Sequence, residues 1–145
     1  MATQRKYDVY VAVFKGAPFD FCKYRHTGLW FSPEDNAQVC YVHVVGLTGS
    51  FSFETRWGWD PATSRTFAKK VKVATTKRPL TPSELVALSQ SVSVKNRDPE
   101  FDCQQWVQSA LLALFENGYI TKEEYNDGLN GMIDATMEAV DEKIA

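Results

Sequence analysis

The pattern of apolar and polar positions changes its period once along this chain. Through residue 74, β-branched and aromatic residues alternate with polar ones, which predicts strands. Turn-forming residues separate the runs, and the short Pro-Glu-Asp-Asn connection at 33–36 predicts that the second and third strands form an antiparallel hairpin. We expect five strands, at residues 7–14, 23–31, 37–45, 50–57 and 66–74.

Beyond residue 80, apolar residues recur every three or four positions, which predicts helices. The first covers 82–92 and follows a capping threonine in the sequence Thr-Pro-Ser-Glu, whose glutamate can bond back to the cap. The second begins at Cys103 and is stopped by Gly118. The third, residues 121–145, has an acidic outer face, and we expect it to dock on the rest of the domain.

Strands followed by helices predict an α+β fold, with an antiparallel sheet of about five strands packed against the helices that come after it. We expect a single domain, 1–145, because 145 residues bury a sizeable core and no linker-like segment divides the chain. Hydrophobic residues make up 44% of the sequence, which is typical of a packed globule rather than of a disordered chain.

Charge and hydropathy argue against several classes of partner. The net charge of −2, from 16 basic and 18 acidic residues, gives no general attraction to nucleic acid or to an anionic membrane. No apolar run approaches the ~20 residues of a membrane span, and the polar N-terminus lacks the apolar core of a signal peptide. Three cysteines without paired spacing predict a reducing compartment. We therefore expect a cytoplasmic protein that neither binds nucleic acid nor integrates into a membrane.

The cysteines and histidines show no metal-binding spacing, since CxxC, HxxxH and HExxH are all missing from the sequence. We therefore expect no metal and no cofactor. Cys22 and Cys40 are interpreted as structural, because Cys40 falls on the strand face opposite His43.

Cys103 differs from the other cysteines because it opens an apolar helix. There, backbone N–H groups without partners and the positive end of the helix dipole favour the thiolate, which is the nucleophilic form. Cys103 is therefore the candidate nucleophile, and a small buried hydrophobe is the structural alternative. Asp102 raises the pKa of a neighbouring thiol, and we expect it to face solvent as an acid of the first turn.

The two histidines of the chain lie in the middle of neighbouring predicted strands. Because alternate residues share a face of a strand, His26 and His43 can stand on one face if the two strands pair. A nucleophilic thiol needs a base within hydrogen-bonding reach, and that base needs a group that orients it. Cys103, His26 and His43 can fill those roles, while two ordinary strand histidines are the structural alternative.

The spacing of these motifs resembles that of a known fold. Tyr-Arg-His at 24–26 and Leu-Trp at 29–30 precede a strand bearing His43, and Asp-Cys-Gln-Gln-Trp-Val follows at 102–107. The arrangement resembles the permuted papain-like fold, and within it the lecithin:retinol acyltransferase-like group, with NlpC-type peptidases and PPPDE-type isopeptidases as relatives. The corresponding family motifs are close to Tyr-x-His-Trp-Ala-Leu-Tyr and Asn-Cys-Glu-His-Phe-Val. The chain departs from them after the histidine, at Thr27 and Gly28, and on both sides of the cysteine, at Asp102, Gln104 and Gln105. These departures disfavour membrane lipids as substrates.

The resemblance implies an NlpC-type architecture in which Cys103 is the nucleophile, His26 the general base and His43 its orienting partner. It also implies that Tyr24 lies near the oxyanion site and contributes to substrate binding. The implied reaction is hydrolysis or acyl transfer on an amide or ester through a thioester on the cysteine.

Trp57 and Trp59 bracket a glycine in a predicted turn, where large aromatic side chains are hard to bury. We expect them to bind a small-molecule or peptide acyl substrate, whereas core packing accounts for Trp30 and Trp106 equally well. The alternative is a catalytically silent binding module on the same scaffold that recognises a protein or small-molecule partner. An anionic partner would then bind the basic residues of the fifth strand and the segment after it, Lys69, Lys70, Lys72, Lys77 and Arg78.

Overall fold

The computed structural model describes residues 3–17 and 19–139 of the chain. This part has the predicted α+β fold, with a five-stranded antiparallel sheet and three helices. The strands are β1 (Tyr7–Phe14), β2 (His26–Pro33), β3 (Cys40–Val45), β4 (Ser52–Trp57) and β5 (Phe67–Thr75), and the helices are α1 (Pro82–Gln90), α2 (Cys103–Glu116) and α3 (Lys122–Met137). Short 3-10 turns lie at Cys22–Tyr24 and Pro61–Thr63.

The sheet has the strand order β4-β3-β2-β1-β5, and all neighbouring strands are antiparallel. The predicted hairpin of the second and third strands is confirmed. Side-chain alternation sends Val11 and Val42 into the main core, against the helices. Phe14 and Tyr41 point to the opposite face, where they form a second, mainly aromatic cluster. The sheet therefore has a helix-covered face and an aromatic face.

The second strand begins later and ends later than the predicted 23–31. Residues Cys22–Tyr24 form a 3-10 turn, so the strand starts at His26. It runs on to Pro33, which pairs with Tyr7. A proline is tolerated at that position because the end of a strand needs no further ladder N–H.

Side-chain hydrogen bonds shorten the next two strands. The third starts at Cys40 rather than at 37, since the Ala37 N–H bonds to the Asp35 carboxylate at 3.1 Å and turns the chain. The fourth starts at residue 52 rather than 50. Here the Asn96 side chain accepts from the Phe51 N–H at 2.8 Å and donates to the Phe51 carbonyl at 2.9 Å, in place of a neighbouring strand.

Caps define the helix ends much as predicted. Thr81 accepts from the Glu84 N–H and Glu84 from the Thr81 N–H, so the predicted capping box is confirmed, and Thr121 and Glu124 repeat it at α3. The first helix ends at residue 90 instead of 92. Gly118 follows α2 with a φ of +79°, a conformation that glycine adopts without strain.

The last helix packs on β5 and ends at Met137, before the predicted end at residue 145. The contact is close because α3 presents a glycine there, and a Cβ on Gly128 would lie 2.9 Å from Val73 Cγ1. Ile133 and Met137, which belong to the predicted apolar stripe, are instead about half exposed, at 47% and 50%. The stripe positions from 140 onward lie outside the described residues. Of the helices in residues 3–17 and 19–139, none combines the length and apolar character that crossing a membrane requires.

Candidate functional site

Cys103 is the first residue of α2, as predicted, and Asp102 is the N-cap of that helix. The prediction that Asp102 belongs to the first turn is wrong, because Asp102 is the residue just before that turn and is partly exposed to solvent. Its carboxylate accepts the Gln105 N–H at 2.9 Å, and only a residue just before the helix can make that bond. The Gln104 side chain donates to the carbonyls of Cys22 and Arg25 at 2.9 and 3.1 Å and so joins the helix start to the segment before β2.

The thiol of Cys103 is partly buried and lies 3.8 Å from the Arg25 carbonyl oxygen, to which it donates. Burial raises the pKa of this thiol, and the Asp102 charge raises it further, while the neighbouring polar groups of Thr27 oppose both effects. The expected lowering of the Cys103 pKa by the helix start is therefore wrong. Desolvation outweighs the helix dipole here, because it acts on the whole charge of the thiolate.

The two histidines lie in contact on the aromatic face of the sheet, as their shared strand face predicts. The distance from His26 Nε2 to His43 Nδ1 is 2.7 Å. The other ring nitrogen of His43, Nε2, lies 2.7 Å from Glu54 Oε1, because Glu54 is directly opposite His43 in the β3–β4 ladder. The Arg56 Nε donates to the same carboxylate oxygen at 2.8 Å. Glu54, His43 and His26 thus form a hydrogen-bonded chain, called the imidazole relay below.

Both imidazoles of the relay favour their neutral forms. Burial lowers the pKa of His26 from 6.5 to about 4, and repulsion from His43 and Arg56 adds to this effect. Burial also lowers the pKa of His43, although Glu54 opposes the shift. Glu54 itself remains ionised, because its hydrogen bonds from His43 and Arg56 lower its pKa.

The thiol and the relay approach each other at one end of the sheet. Thr27 and Cys103 belong to the helix-covered side, whereas His26 points to the aromatic face beside Phe14. Even so, His26 and Cys103 line one cleft of about 380 Å³, named here the thiol cleft. No hydrogen bond joins the two side chains among the described residues. The structure therefore brings the three predicted catalytic residues to one place with the thiol and His26 unbonded.

A second cleft, of about 390 Å³, lies on the aromatic face and is named here the aromatic cleft. Ala17, Tyr24 and His26 line both clefts, so the two share a wall. Tyr24 is 43% exposed there. Trp59 also lines the aromatic cleft, with its ring 4.9 Å from that of Tyr41.

The structure separates Trp57 from the other predicted substrate-binding residues. Trp57 ends β4 opposite Cys40, at the far end of the sheet from His26, and lines a different cleft with Arg5 and Pro82. The reason is geometric: Gly58 has a φ of +68° and turns the chain, so that Trp57 and Trp59 diverge. Of the other two tryptophans, both are buried, Trp106 in the main core and Trp30 in the aromatic cluster.

Intramolecular contacts engage the basic residues that the binding alternative invoked. Lys69 pairs with Glu138, Lys72 with Asp8 and Lys77 with Glu124. The Lys70 ammonium lies 4.3 Å from the centre of the Trp30 ring, and the Arg78 guanidinium lies 4.1 Å from that of Tyr119. This segment therefore offers less free positive charge than its sequence indicates.

Sequence reasoning missed Glu54 and Arg56 as parts of the site. Both occupy polar positions of an alternating strand, and pairing that strand with the third in register would have placed Glu54 beside His43. It also missed Tyr41, which is 1% exposed and whose hydroxyl has no hydrogen-bond partner among the described residues. The interpretation of Cys40 as structural agrees with its full burial, which raises the pKa of its thiol to about 12. Within the described part, no three His, Cys, Asp or Glu side chains cluster closely enough to hold a metal ion.

Comparison with known proteins gives one match. Residues 9–121, which include most of β1, the imidazole relay and α2, match a family of unknown function, DUF6540. No curated protein matches the chain significantly, and no solved structure does so either. The match covers most of the chain and includes every residue of the relay and the thiol, so this protein belongs to the DUF6540 family.

Proposed function

We propose that this protein is a thiol-dependent hydrolase or acyltransferase of permuted papain-like architecture that acts on an amide or ester. The observation that carries the proposal is the imidazole relay, which runs from Glu54 to His26 and ends in the wall of the cleft that holds Cys103. A chain of carboxylate, imidazole and imidazole directed at a cysteine is an arrangement suited to nucleophilic catalysis. The order of strands, relay and cysteine-opened helix supports the same architecture.

The hydrogen bonds of the imidazole relay determine which ring nitrogen of His26 can accept a proton. The Glu54 carboxylate only accepts hydrogen bonds, so Nε2 of His43 donates to it and Nδ1 of a neutral His43 is an acceptor. Nε2 of His26 must then donate to that Nδ1. A neutral imidazole carries one proton, which leaves the Nδ1 of His26 as the free lone pair. In the proposed reaction this atom takes the thiol proton.

The resting site holds a thiol and a neutral imidazole rather than a thiolate–imidazolium pair. Burial raises the pKa of Cys103 and lowers that of His26, and both shifts disfavour charge separation. We propose general-base catalysis, in which the thiol leaves the Arg25 carbonyl and passes its proton to His26, directly or through one water, as its sulfur attacks the substrate carbonyl carbon. The positive charge that develops on His26 is stabilised through His43 by the Glu54 carboxylate.

The remaining steps follow ordinary acyl transfer. The Cys103 N–H, which has no intrahelical acceptor at the start of α2, donates to the oxyanion. His26 returns its proton to the leaving amine or alcohol, and the carbon–nitrogen or carbon–oxygen bond breaks to give the thioester. Water or an amine then attacks the thioester, His26 takes the proton of this nucleophile, and the thiolate leaves and is reprotonated.

Acetylation by p-nitrophenyl acetate tests the proposal. Wild type is expected to release nitrophenolate in a stoichiometric burst and to carry an acetyl group on Cys103 that neutral hydroxylamine removes, as it does from a thioester. Replacing His26 with glutamine should slow the burst by about a hundredfold or more, the usual contribution of a general base. Cys22→Ser is the matched control and should leave the burst unchanged.

Two results would contradict the proposal. One is acetylation of Cys22 or Cys40 as fast as that of Cys103, and the other is an unchanged burst in His26→Gln. Either result would favour the alternative, a binding module on the same scaffold. That alternative has one observation in its favour, since the thiol donates to a backbone carbonyl and not to His26.

A further inference from the structure

The aromatic cleft has a wall suited to a flat or apolar group. The rings of Phe14 and Trp59 lie 6.1 Å apart with an interplanar angle of 25°, and the Tyr41 ring contacts both. Because His26 and Tyr24 line this cleft and the thiol cleft alike, a substrate attacked by Cys103 can extend into it. The cleft volume, about 390 Å³, is of the size that encloses a small molecule.

The charged residues that line the aromatic cleft are all cationic. They are Lys15 and Arg56, and within residues 3–17 and 19–139 no Asp or Glu side chain lines this cleft. Arg56 uses its Nε to bind Glu54, and its guanidinium lies 5.0 Å from the centre of the Trp59 ring. Its two terminal nitrogens have no acceptor among the described residues, and the Lys15 ammonium has no ion pair there. Both cations can therefore bind an anion within the cleft.

A buried donor also lies in this wall without a partner. Tyr41 is 1% exposed, and its hydroxyl has no hydrogen-bond partner in the part of the chain that the structure describes. The hydroxyl lies directly over Gly28, where a side chain would collide with it. A buried hydroxyl without an acceptor is destabilising, so a ligand that supplies the missing acceptor binds more tightly.

We propose that the aromatic cleft binds the carboxylate-bearing part of the substrate. Arg56 and Lys15 hold the carboxylate, the Phe14–Trp59 wall holds an apolar or aromatic body, and the Tyr41 hydroxyl donates to a polar atom of that body. The inference rests on the proposed function and deepens it, because it names the substrates of Cys103 as amides or esters that carry a carboxylate.

Calorimetric titration of the Cys103→Ala protein with hippurate (N-benzoylglycine) tests this proposal without turnover. Hippurate combines a benzoyl group, an amide and a carboxylate, and N-benzoylglycinamide is its neutral counterpart. Hippurate is expected to bind about tenfold more tightly than the neutral amide, as hydrogen bonds to a charged group predict. The Arg56→Gln and Lys15→Gln variants should each reduce this preference, and the Arg97→Gln variant, which makes the same charge change away from the cleft, should keep it.

The Tyr41→Phe variant separates the hydroxyl from the charges. It should weaken both compounds by about fivefold, since it removes a neutral donor and leaves both cations in place. Thermal unfolding of each variant verifies that it is folded before titration. Equal affinity for hippurate and its amide would overturn the proposal. So would an absence of saturable hippurate binding, or a preference that survives loss of both cations.

The acetylation and titration experiments fail independently. If Cys103 is acetylated with His26 dependence and hippurate does not bind, the enzymatic proposal stands and the substrate class is wrong. If hippurate binds with the expected preference and Cys103 is not acetylated, the aromatic cleft is a carboxylate-binding site of a protein without thiol catalysis.

Discussion

At the scale of single residues, the site holds two titratable groups in their uncharged forms. His26 is neutral because it is buried, and Cys103 is protonated for the same reason. In the proposed reaction, the neutral thiol passes its proton to the neutral imidazole as the substrate carbonyl oxygen takes up negative charge. We therefore expect the thiol to be slow with simple alkylating agents and to react with acylating ones.

The lowered pKa of His26 makes stability depend on pH. The unfolded chain binds the proton with a pKa near 6.5 and the folded chain with one of about 4, so the unfolded state takes up the proton first as the pH falls. The resulting loss of unfolding free energy is absent above pH 6.5 and reaches about 3 kcal/mol near pH 4. Urea unfolding of wild type and His26→Gln at pH 7 and pH 4 measures this effect. It is the difference between the two proteins in the unfolding free energy that each loses when the pH falls from 7 to 4. Equal losses would show that His26 is not desolvated.

The position of Gly28 is a second consequence at this scale. A Cβ added there would lie 2.6 Å from Tyr41 Cε1, and the buried ring cannot move away without displacing its neighbours. Gly28→Ala should therefore destabilise the protein by about 1–3 kcal/mol, as overpacking of a core does. The same change in a Tyr41→Ala background should cost much less when free energies of unfolding are compared. Additive costs would mean that the two residues do not collide.

The parity of the two histidines could be read from the sequence, because a period of two fixes which strand residues share a face. The contact between Glu54 and His43 could not be read from the sequence. It depends on the register of β3 and β4, which side-chain alternation alone does not determine. The direction of the Cys103 pKa shift could not be read from the sequence either, because it depends on how deeply the folded chain buries the thiol beside residues as distant in sequence as Arg25 and Thr27.

At the scale of elements, the residue that caps the start of α2 has two separate effects. Asp102 stabilises the helix as its N-cap, and its charge raises the pKa of Cys103. Strand boundaries at this scale were predicted to within a few residues, and the differences trace to side-chain bonds such as those of Asn96 to Phe51. The capping box of α1 was predicted best, because such a box is determined by four consecutive residues.

Substitution of Asp102 separates its two effects. Asp102→Asn keeps a side-chain oxygen for the Gln105 N–H and removes the charge, so the pKa of Cys103 should fall while stability changes by about 0.5 kcal/mol. Asp102→Ala removes the cap as well and should cost about 1 kcal/mol. The pH midpoint of iodoacetamide labelling at Cys103, with chemical unfolding of both variants, measures the two effects. An unchanged midpoint in Asp102→Asn would show that the charge does not reach the thiol.

At the scale of the whole molecule, Arg25 joins segments that lie far apart in the sequence. Its guanidinium binds the Asp20 carboxylate through Nε at 2.9 Å and through Nη2 at 2.7 Å, and it donates to the Ala135 carbonyl near the end of α3 at 2.9 Å. Its own carbonyl accepts from Cys103 and Gln104. One buried residue thus connects the last helix to the candidate site. No local sequence pattern predicts this contact, since its partners are 110 positions apart.

Removing the Asp20 charge tests this connection. Arg25 has a side chain only 6% exposed, so Asp20→Asn leaves a buried cation without its counter-ion and should cost about 3 kcal/mol. Hydrogen exchange should also rise in the last turn of α3. Asp35→Asn is the matched control, because Asp35 also pairs with an arginine, Arg5, but its side chain is 53% exposed. This substitution should cost under about 1 kcal/mol. Equal costs for the two variants would mean that Arg25 is not a buried link.

Because Glu54 lies on an edge strand, local opening of that strand can interrupt its contact with His43. β4 is held by β3 along one side, and edge strands open locally at a smaller free energy than central ones. Each opening would withdraw Glu54 from His43, free either ring nitrogen of His43 to carry the proton, and let the lone pair of His26 turn away from the thiol cleft. In the proposed reaction, the fraction of time in which His26 is oriented to act as the base would then equal the fraction in which β4 remains paired with β3. A partner that pairs with the outer edge of β4, which the described strands leave open, would then favour the proposed reaction without contacting the site.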